Sequence, residues 1–422
     1  MKLDSCGLNL IQEPLLAPFG FKGGYVNELW NIAVRMDAAE ESALGLGIQS
    51  ILWSDADIFK SHTPVGGNAL MLAITEYASQ LALHTEFETP TELFSEIYPK
   101  VLAYGKQITG RETMRATFAL NAMVPVDMAV WRLWAKKKGF KTFDDMIPTG
   151  AKPYLTARHD RLAAIPLLTY GIDRAGVKAE AESGSFFLKI KIGSDPDKDG
   201  DREKMLLWDM QRLSEIHEAI GQMETPYTDC GKVAYYLDAN GRYDSLDRIK
   251  RFLDHADKIG ALDQILLLEE PFAEEMKIDV SSLPVRVAAD ESVHSDADVR
   301  ERADLGYTAV ALKPIAKTMS MTFAMIEAAG KRSIPCFCAD LTVNPFMVDV
   351  NKNYAARLAA LPGMKVGALE SNGHQNYVNW ETLVRNHPSY PASWIGSKNG
   401  SFTLDARFWQ TSGGIFEEPN GY

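Results

Sequence analysis

Only four cysteines occur in 422 residues (Cys6, Cys230, Cys336 and Cys338). They are too few and too scattered for a disulfide framework, and this sparsity fits a reducing compartment. Cys336 and Cys338 alternate within one apolar run without the Cys or His spacing of a zinc site, so they read as core or barrel-lining thiols. No apolar run approaches the roughly 20 residues that would span a bilayer. The N-terminal MKLDSCGLNLIQEPL lacks the sustained apolar stretch of a secretory signal. These gaps set aside a membrane role and make the cytoplasm the expected location. Positive charge is scarce too. A formal net charge of -12 argues against nucleic acid as a partner, because phosphate backbones require concentrated Lys and Arg. Neither a GxGxxG opening a helix nor a GxxxxGK[ST] is found, so nucleotide-phosphate folds lack their signature.

What the chain does have is core and length. Its 46% hydrophobic and 24% charged residues are those of a globular protein. Its length suits a barrel of roughly 250 residues plus a second domain. Residues 1 to about 150 show no repeated strand-helix rhythm. ELWNIAVRMD and GLGIQSILWSD read as antiparallel strands. ALMLAITEYASQLALH and VDMAVWRLWAKKKG read as helices, the second with Met128, Trp131 and Trp134 as a core stripe and Lys136, Lys137 and Lys138 as a solvated end. From 151 to 380, eight short apolar strands alternate with amphipathic helices: AIPLLTYG, FFLKIKIG, KVAYYLDA, QILLLEE, VRVAAD, TAVALKP, IPCFCAD and KVGALES. That rhythm predicts a (β/α)8 TIM barrel. ETPYTDCG reads as a loop insertion, and residues 381–422 as strands and an ordered tail that pack back on the rest.

The chemistry sits at the strand ends. Lys189, Lys191, Asp238, Glu269, Asp290 and Lys313 close five successive strands, with steps from Lys191 of 47, 31, 21 and 23 residues. In a parallel barrel these ends converge on the face that carries the active site. Three converging carboxylates cannot all stay ionised without a cation. An all-oxygen set favours Mg2+, with Mn2+ the alternative, and the absence of His and Cys disfavours zinc. Such a cation stabilises the oxyanion formed when a proton leaves the carbon next to a carboxylate. Lys189 and Lys191 alternate on one strand and share a face. Lys313 approaches from the opposite side of the mouth. Either side can supply a base, since a lysine beside a cation and a second lysine loses proton affinity.

In this order the motifs KxK, DxN, EEP, DES and LKP resemble the enolase superfamily, and within it the mandelate racemase/muconate-lactonizing group that includes dipeptide epimerases. The resemblance implies a modified barrel with an α+β capping domain, residues 1–150, completed by about 381–422. It implies Asp238, Glu269 and Asp290 as metal ligands, and chooses Glu269 over Glu270 and Asp290 over Glu291. Lys191 and Lys313 become opposed acid/bases, with Lys189 assisting at the substrate carboxylate or on Lys191. Asn240, Glu270 and Glu291 would support these groups, and Asp340 and Glu370 would lie near the substrate.

The chain departs from the group's pattern in three places. LKPIAKTMS lacks the Gly-Gly that often follows the sixth-strand lysine. CADLTVNP offers Asp340 where the mandelate-racemase branch carries His. ALESNG offers only Glu370 where dipeptide epimerases carry DxD. His294 reads as a helix-start residue, and His374 lies beyond the eighth strand near the mouth. Two opposed lysines imply racemisation or epimerisation of a small-molecule carboxylate, of the dipeptide or N-acylamino acid class. β-Elimination, dehydration or cycloisomerisation of the muconate-lactonizing or o-succinylbenzoate synthase type is the alternative. A barrel that merely binds a metal and a carboxylate is the non-enzymatic one. Specificity is expected from residues 17–27 and 53–66, with Gly23 and Gly24 forming a mobile lid or a simple hairpin turn. A symmetric homo-oligomer is expected by analogy with other barrels.

Overall fold

The computed structural model describes residues 1–21 and 24–422, so Gly23 of the expected lid lies outside the described residues. The chain opens with a three-stranded antiparallel sheet, β1 (Ser5–Phe21), β2 (Gly24–Ala38) and β3 (Glu41–Gln49). Of these, β1 is not legible in the sequence. It is an edge strand that carries Pro14 and Pro18, leaves Leu8 and Leu16 exposed, and shifts register between Pro14 and Phe19. The long helix Ala116–Lys138 packs against β3 at two glycines. A Cβ on Gly45 would lie 2.0 Å from the Pro125 carbonyl oxygen, and one on Gly47 2.5 Å from the Pro125 ring. Helix and sheet therefore approach closely, which fixes where the 49–54 segment meets the rest of the fold. Met128 and Trp131 are buried as the helical stripe requires. Lys136 is not a solvated end residue. Its Nζ donates to the Ser42 carbonyl at 2.6 Å and reaches Glu418 at 2.7 Å, because the C-terminal tail returns to this helix.

The second body is the eight-stranded barrel. Its strands are β4 (Arg161–Ile165) with its continuation β5 (Leu167–Leu168), β6 (Phe187–Lys191), β7 (Ala234–Asp238), β8 (Ile265–Glu269), β9 (Val287–Ala289), β10 (Ala309–Leu312), β11 (Cys336–Cys338) and β12 (Gly367–Glu370). Consecutive strands from β5 to β12 pair in parallel. Pro166, which lacks an N–H, divides β4 from β5. The first half pairs with β12 and the second with β6, so one strand closes the ring. Its interior is filled by Ala163, Ile165, Phe187, Tyr236, Leu267, Ala288, Ala311 and Phe337. It is a packed core that ends beneath the polar mouth.

The outer helices follow their start signals. Asp201, Ser245, Thr318 and Asn344 each cap one by accepting from a backbone N–H. The last of them, Pro345–Ala355, begins earlier than its apolar periodicity at 350–361 indicates, because Asn344-Pro345 is a strong start. The tail departs from the expected strands. It holds two short helices, Trp380–Arg385 and Ala406–Thr411, and one short strand, β13 (Ser401–Thr403), antiparallel to β4. No helix among the described residues is long and apolar enough to cross a membrane.

Candidate active site

The register of the barrel brings the strand-end residues together. Lys191 lies opposite Asp238, and Asp238 opposite Glu269, across β6, β7 and β8. Asp290 follows β9 and Lys313 follows β10. Asp238, Glu269 and Asp290 are fully buried, as are Lys189 and Lys313. Lys189 Nζ lies 3.0 Å from Asp238 Oδ2, 3.3 Å from Glu269 and 3.1 Å from Glu370 Oε2. Lys191 Nζ lies 2.7 Å from Asp238 Oδ2 and also bonds Asn240. Lys313 Nζ bonds Asp290 Oδ2. The two lysine sets therefore hold different carboxylates on opposite sides of the barrel axis.

Two residues just past strand ends carry positive φ, Asn240 (two residues after β7) at 45° and Glu270 (the residue after β8) at 41°. Non-glycine residues adopt this geometry only where the surroundings enforce it. Here it turns both side chains back into the site. Asn240 bonds Lys191 and donates to Glu291 Oε1 at 2.8 Å. Glu270 Oε2 accepts from the Asp290 and Ser292 N–H groups at 2.8 and 3.2 Å, which braces the segment carrying Asp290. Asp340 accepts from the Leu341 and Asn372 N–H groups at 2.8 and 2.7 Å, and Glu370 accepts from the Asp340 N–H at 3.2 Å. Asp340 and Glu370 thus stand on the Lys189 side of the cluster.

Burial and charge set the protonation states. Burial favours the neutral acid at Asp238, yet Lys189 and Lys191 hold its carboxyl down to about 2. Asp290 is likewise held low against burial by Lys313 and Lys317. Burial, with Asp290 and Glu291 nearby, pushes Glu269 up to about 8. Asp340 is pushed up to about 7 by burial and by Glu370. Burial opposes the charge of Lys313, but Asp290 and Glu291 outweigh it and raise its pKa.

Among the described residues, one trio of carboxylates, Glu269, Asp290 and Glu291, offers oxygens that all lie within 4.8 Å of one another. Asp238 is not part of that trio; its Oδ2 is paired with Lys189 and Lys191. A divalent cation fits this set on two grounds. Glu291 Oε2 is buried without a hydrogen-bond partner. The donor set of Glu269, Asp290 and Glu291 is also all oxygen, as a hard divalent cation requires.

Over these groups lies a cavity of about 380 Å3, lined from the barrel by Lys189, Lys191, Asp238, Asp290, Glu291, Lys313, Asp340 and Glu370. The N-terminal body supplies the other wall through Ala17, Pro18, Phe19, Gly20, Val26 and the 49–53 segment. Of the sequence-derived site residues, Glu269 lies beneath the cavity rather than on its wall. His374 and His294 do not line it. His294 bonds Glu274 at 3.1 Å and sits just before the helix Asp296–Asp304, as expected of a helix-start residue.

Two contacts escaped the sequence reading. Lys317 is fully buried, and its Nζ bonds the Asp290 carbonyl at 2.7 Å and Oδ1 at 3.2 Å. Its place one helical turn after Lys313 was the available signal. Trp53 lays its ring 4.7 Å from Lys313 Nζ and 5.9 Å from Lys317 Nζ, a cation–π arrangement built across the two bodies. Trp53 opens the 53–66 stretch expected to set specificity and lines the cavity, but no spacing rule pairs it with Lys313.

No family model and no curated sequence matches the chain. Solved structures do. A mandelate racemase/muconate lactonizing protein from Herpetosiphon aurantiacus is 18% identical, with 96% of each chain covered and a TM-score of 0.64. The L-Ala-D/L-Glu epimerase of Bacillus subtilis is 15% identical, with 96% of this chain and 97% of that one covered at a TM-score of 0.63. A dipeptide epimerase from Enterococcus faecalis V583, solved with Mg and the dipeptide L-Leu-L-Tyr, is 17% identical, with 87% and 90% covered at a TM-score of 0.61. The chain thus shares the fold of enolase-superfamily structures, barrel and N-terminal capping body together; identity this low speaks to the fold alone.

Proposed function

We propose that this chain is an enzyme that removes a proton α to the carboxylate of a small molecule and returns one to the opposite face, as a racemase or epimerase. The observation that carries this reading is the placing of two lysines on two different carboxylates around one cavity, Lys191 on Asp238 and Lys313 on Asp290. With Lys191 neutral and Lys313 charged, Lys191 Nζ takes the α-proton from one face. The substrate passes through an enediolate, and the Lys313 ammonium delivers a proton to the other face. The two lysines exchange protonation states, and the reverse reaction exchanges their roles.

Lys189 remains charged among Asp238, Glu269 and Glu370. Its charge attracts the substrate carboxylate. Asp238, Glu269 and Asp290 would hold Mg2+ (or Mn2+), with Glu291 beside them. Bound there, a divalent cation supplies the positive charge that acidifies the α-carbon and stabilises the enediolate. Asn240, Asp340 and Glu370 hold these groups in place. The cavity's enclosure by both bodies supports a small substrate, and the likeness to two epimerases supports the dipeptide or N-acylamino acid class.

The test is α-proton exchange in D2O, followed by NMR with Mg2+, across dipeptides, N-acylamino acids and sugar acids. Exchange that is lost on EDTA treatment and in the Lys191→Ala/Lys313→Ala double variant, with each single substitution abolishing exchange of one enantiomer only, supports the reading. Exchange that survives both substitutions rejects it.

A further inference from the structure

Four cations line the cavity: Lys189, Lys191, Lys313 and Arg242. Each of the three lysines pairs with a buried carboxylate. Arg242 has no carboxylate within ion-pair distance among the described residues. One hydrogen bond is recorded for its guanidinium, from Nη1 to the Gly193 carbonyl at 3.1 Å. A guanidinium carries five donors in a planar fork that matches a carboxylate or phosphate in two-point fashion, so most of this capacity is unspent.

The position is built rather than incidental. The guanidinium lies 5.4 Å from the centre of the Tyr170 ring. Tyr170 is fixed in turn by its hydroxyl, which donates to the Ile192 carbonyl at 3.0 Å, and by an edge contact with Trp208. Gly193 makes room for the arginine. A Cβ there would lie 2.8 Å from Arg242 Cβ, and its φ of +80° is one that side chains rarely adopt. The neighbouring acid, Asp209, is already committed to the Gly193 N–H and the Tyr243 hydroxyl, each at 2.7 Å. Aromatic platform, glycine gap and single carbonyl anchor hold a charged fork on the cavity wall beside Lys191, with no anion of the protein to meet it.

We infer that Arg242 is a specificity residue that binds a second oxyanion on the substrate. The substrate is then a dianion: one carboxylate lies at the lysine–carboxylate cluster, and a second carboxylate or a phosphate lies on Arg242. This deepens the proposed function and rests on it for the identity of the first carboxylate. An arginine already held in place loses little freedom on binding, so the gain shows in affinity for the acidic ligand.

Binding is measured by calorimetry with Mg2+ present, so that the result does not depend on turnover. The probes are N-acetylglutamate, N-acetyl-O-phosphoserine and the neutral N-acetylglutamine, each titrated into wild type, Arg242→Gln and Arg242→Lys. The expected result is at least tenfold tighter binding of an acidic probe than of N-acetylglutamine. That preference should vanish in Arg242→Gln, persist in part in Arg242→Lys, and leave the affinity for N-acetylglutamine unchanged. Whichever acidic probe binds more tightly identifies the oxyanion as carboxylate or phosphate. Equal affinities in wild type, no binding of any probe, or a preference that survives in Arg242→Gln while thermal unfolding is unchanged would each overturn the inference. Exchange of the α-proton is followed separately. Tight Arg242-dependent binding without exchange keeps the anion site and removes the isomerase reading.

Discussion

Lys317 holds Asp290 twice, through the main-chain carbonyl at 2.7 Å and through Oδ1 at 3.2 Å, while Lys313 takes the other carboxylate oxygen. One buried carboxylate is thus shared by two buried ammonium groups one helical turn apart. Burial outweighs Asp290 at Lys317 and lowers its pKa, whereas Asp290 and Glu291 outweigh burial at Lys313. Replacing Lys317 with Met leaves Asp290 Oδ1 without its donor and the Asp290 carbonyl with the Val293 N–H alone, at 3.2 Å. Breaking a buried pair on one side costs about 3–5 kcal/mol. Urea unfolding of Lys317→Met should therefore show a loss of that order. The same substitution should tighten Mg2+ binding, because Asp290 loses a competing cation. A stability change below about 1 kcal/mol would mean that water replaces the ammonium.

The two opposed lysines make separable predictions. In Lys191→Ala, Lys313 still meets one face of the substrate, so one enantiomer should exchange its α-proton and the other should not. Lys313→Ala should show the opposite selectivity. Racemisation itself should fall by roughly 10²–10⁴-fold in each, the range for loss of a general acid or base. Exchange of the separate enantiomers in D2O distinguishes this from a single-base lyase, in which one substitution abolishes all exchange.

The cation ligands can be sorted by Mn2+ binding, followed by electron paramagnetic resonance. Glu269→Gln and Asp290→Asn should each weaken it at least tenfold. Asp238→Asn should do the same if it provides the third ligand. Glu291→Gln should weaken it less, because Glu291 Oε1 is already engaged by Asn240. The reverse order would assign the third position to Glu291, whose oxygen lies with those of Glu269 and Asp290.

The core of this site was legible because each charged residue ends an apolar strand, and charge at the end of a buried strand is costly without a partner. Lys189, Lys191, Asp238, Glu269, Asp290 and Lys313 all announced themselves in that way. Lys317 did not, because it lies past the end of the strand, in the short helix Pro314–Lys317, where a lysine reads as a surface residue. It is buried because that helix packs beneath the N-terminal body. Trp53 fell within the 53–66 stretch expected to set specificity, but its contact with Lys313 was hidden, since the two lie 260 positions apart. β1 was missed because an exposed edge interrupted by proline carries no clear period of two. Within 17–27, Ala17, Pro18, Phe19, Gly20 and Val26 do line the cavity, but no pattern in the sequence fixes which of their atoms face it.

Asp127 joins the N-terminal body to the barrel. Its carboxylate accepts from the Met319 and Ser320 N–H groups at 2.8 and 3.1 Å, at the start of the helix Met319–Lys331. Burial raises its pKa to about 6, and these hydrogen bonds only partly offset the rise. An unfolded aspartate loses its proton near 4, so between about pH 4 and 6 the folded state holds a proton that the unfolded state has released. The stability contributed by this proton is present below pH 4 and is lost as pH rises through 6. Asp127→Asn should remove that slope, worth on the order of 3 kcal/mol across the window. The check is the difference between wild-type and variant unfolding free energies at pH 4 and pH 7. A parallel shift at both values would show that Asp127 is ionised throughout.

Trp53 makes the last prediction, and it concerns how the N-terminal body can influence chemistry performed by barrel residues. Its ring faces Lys313 Nζ at 4.7 Å, and its indole N–H is buried without a partner. A ring face attracts a cation with about 0.5–2 kcal/mol, so it favours the ammonium form of Lys313. Trp53→Ala removes that support, and the limb of the pH–rate profile set by Lys313 should move downward by up to roughly 1 pH unit. Trp53→Phe retains a ring face, though a weaker one, and should keep most of the pH behaviour while losing the N–H. A profile unchanged in Trp53→Ala would mean that the ring only closes the cavity. If Trp53→Phe leaves the profile in place but raises KM, the indole N–H meets the substrate and the two functions of the side chain separate.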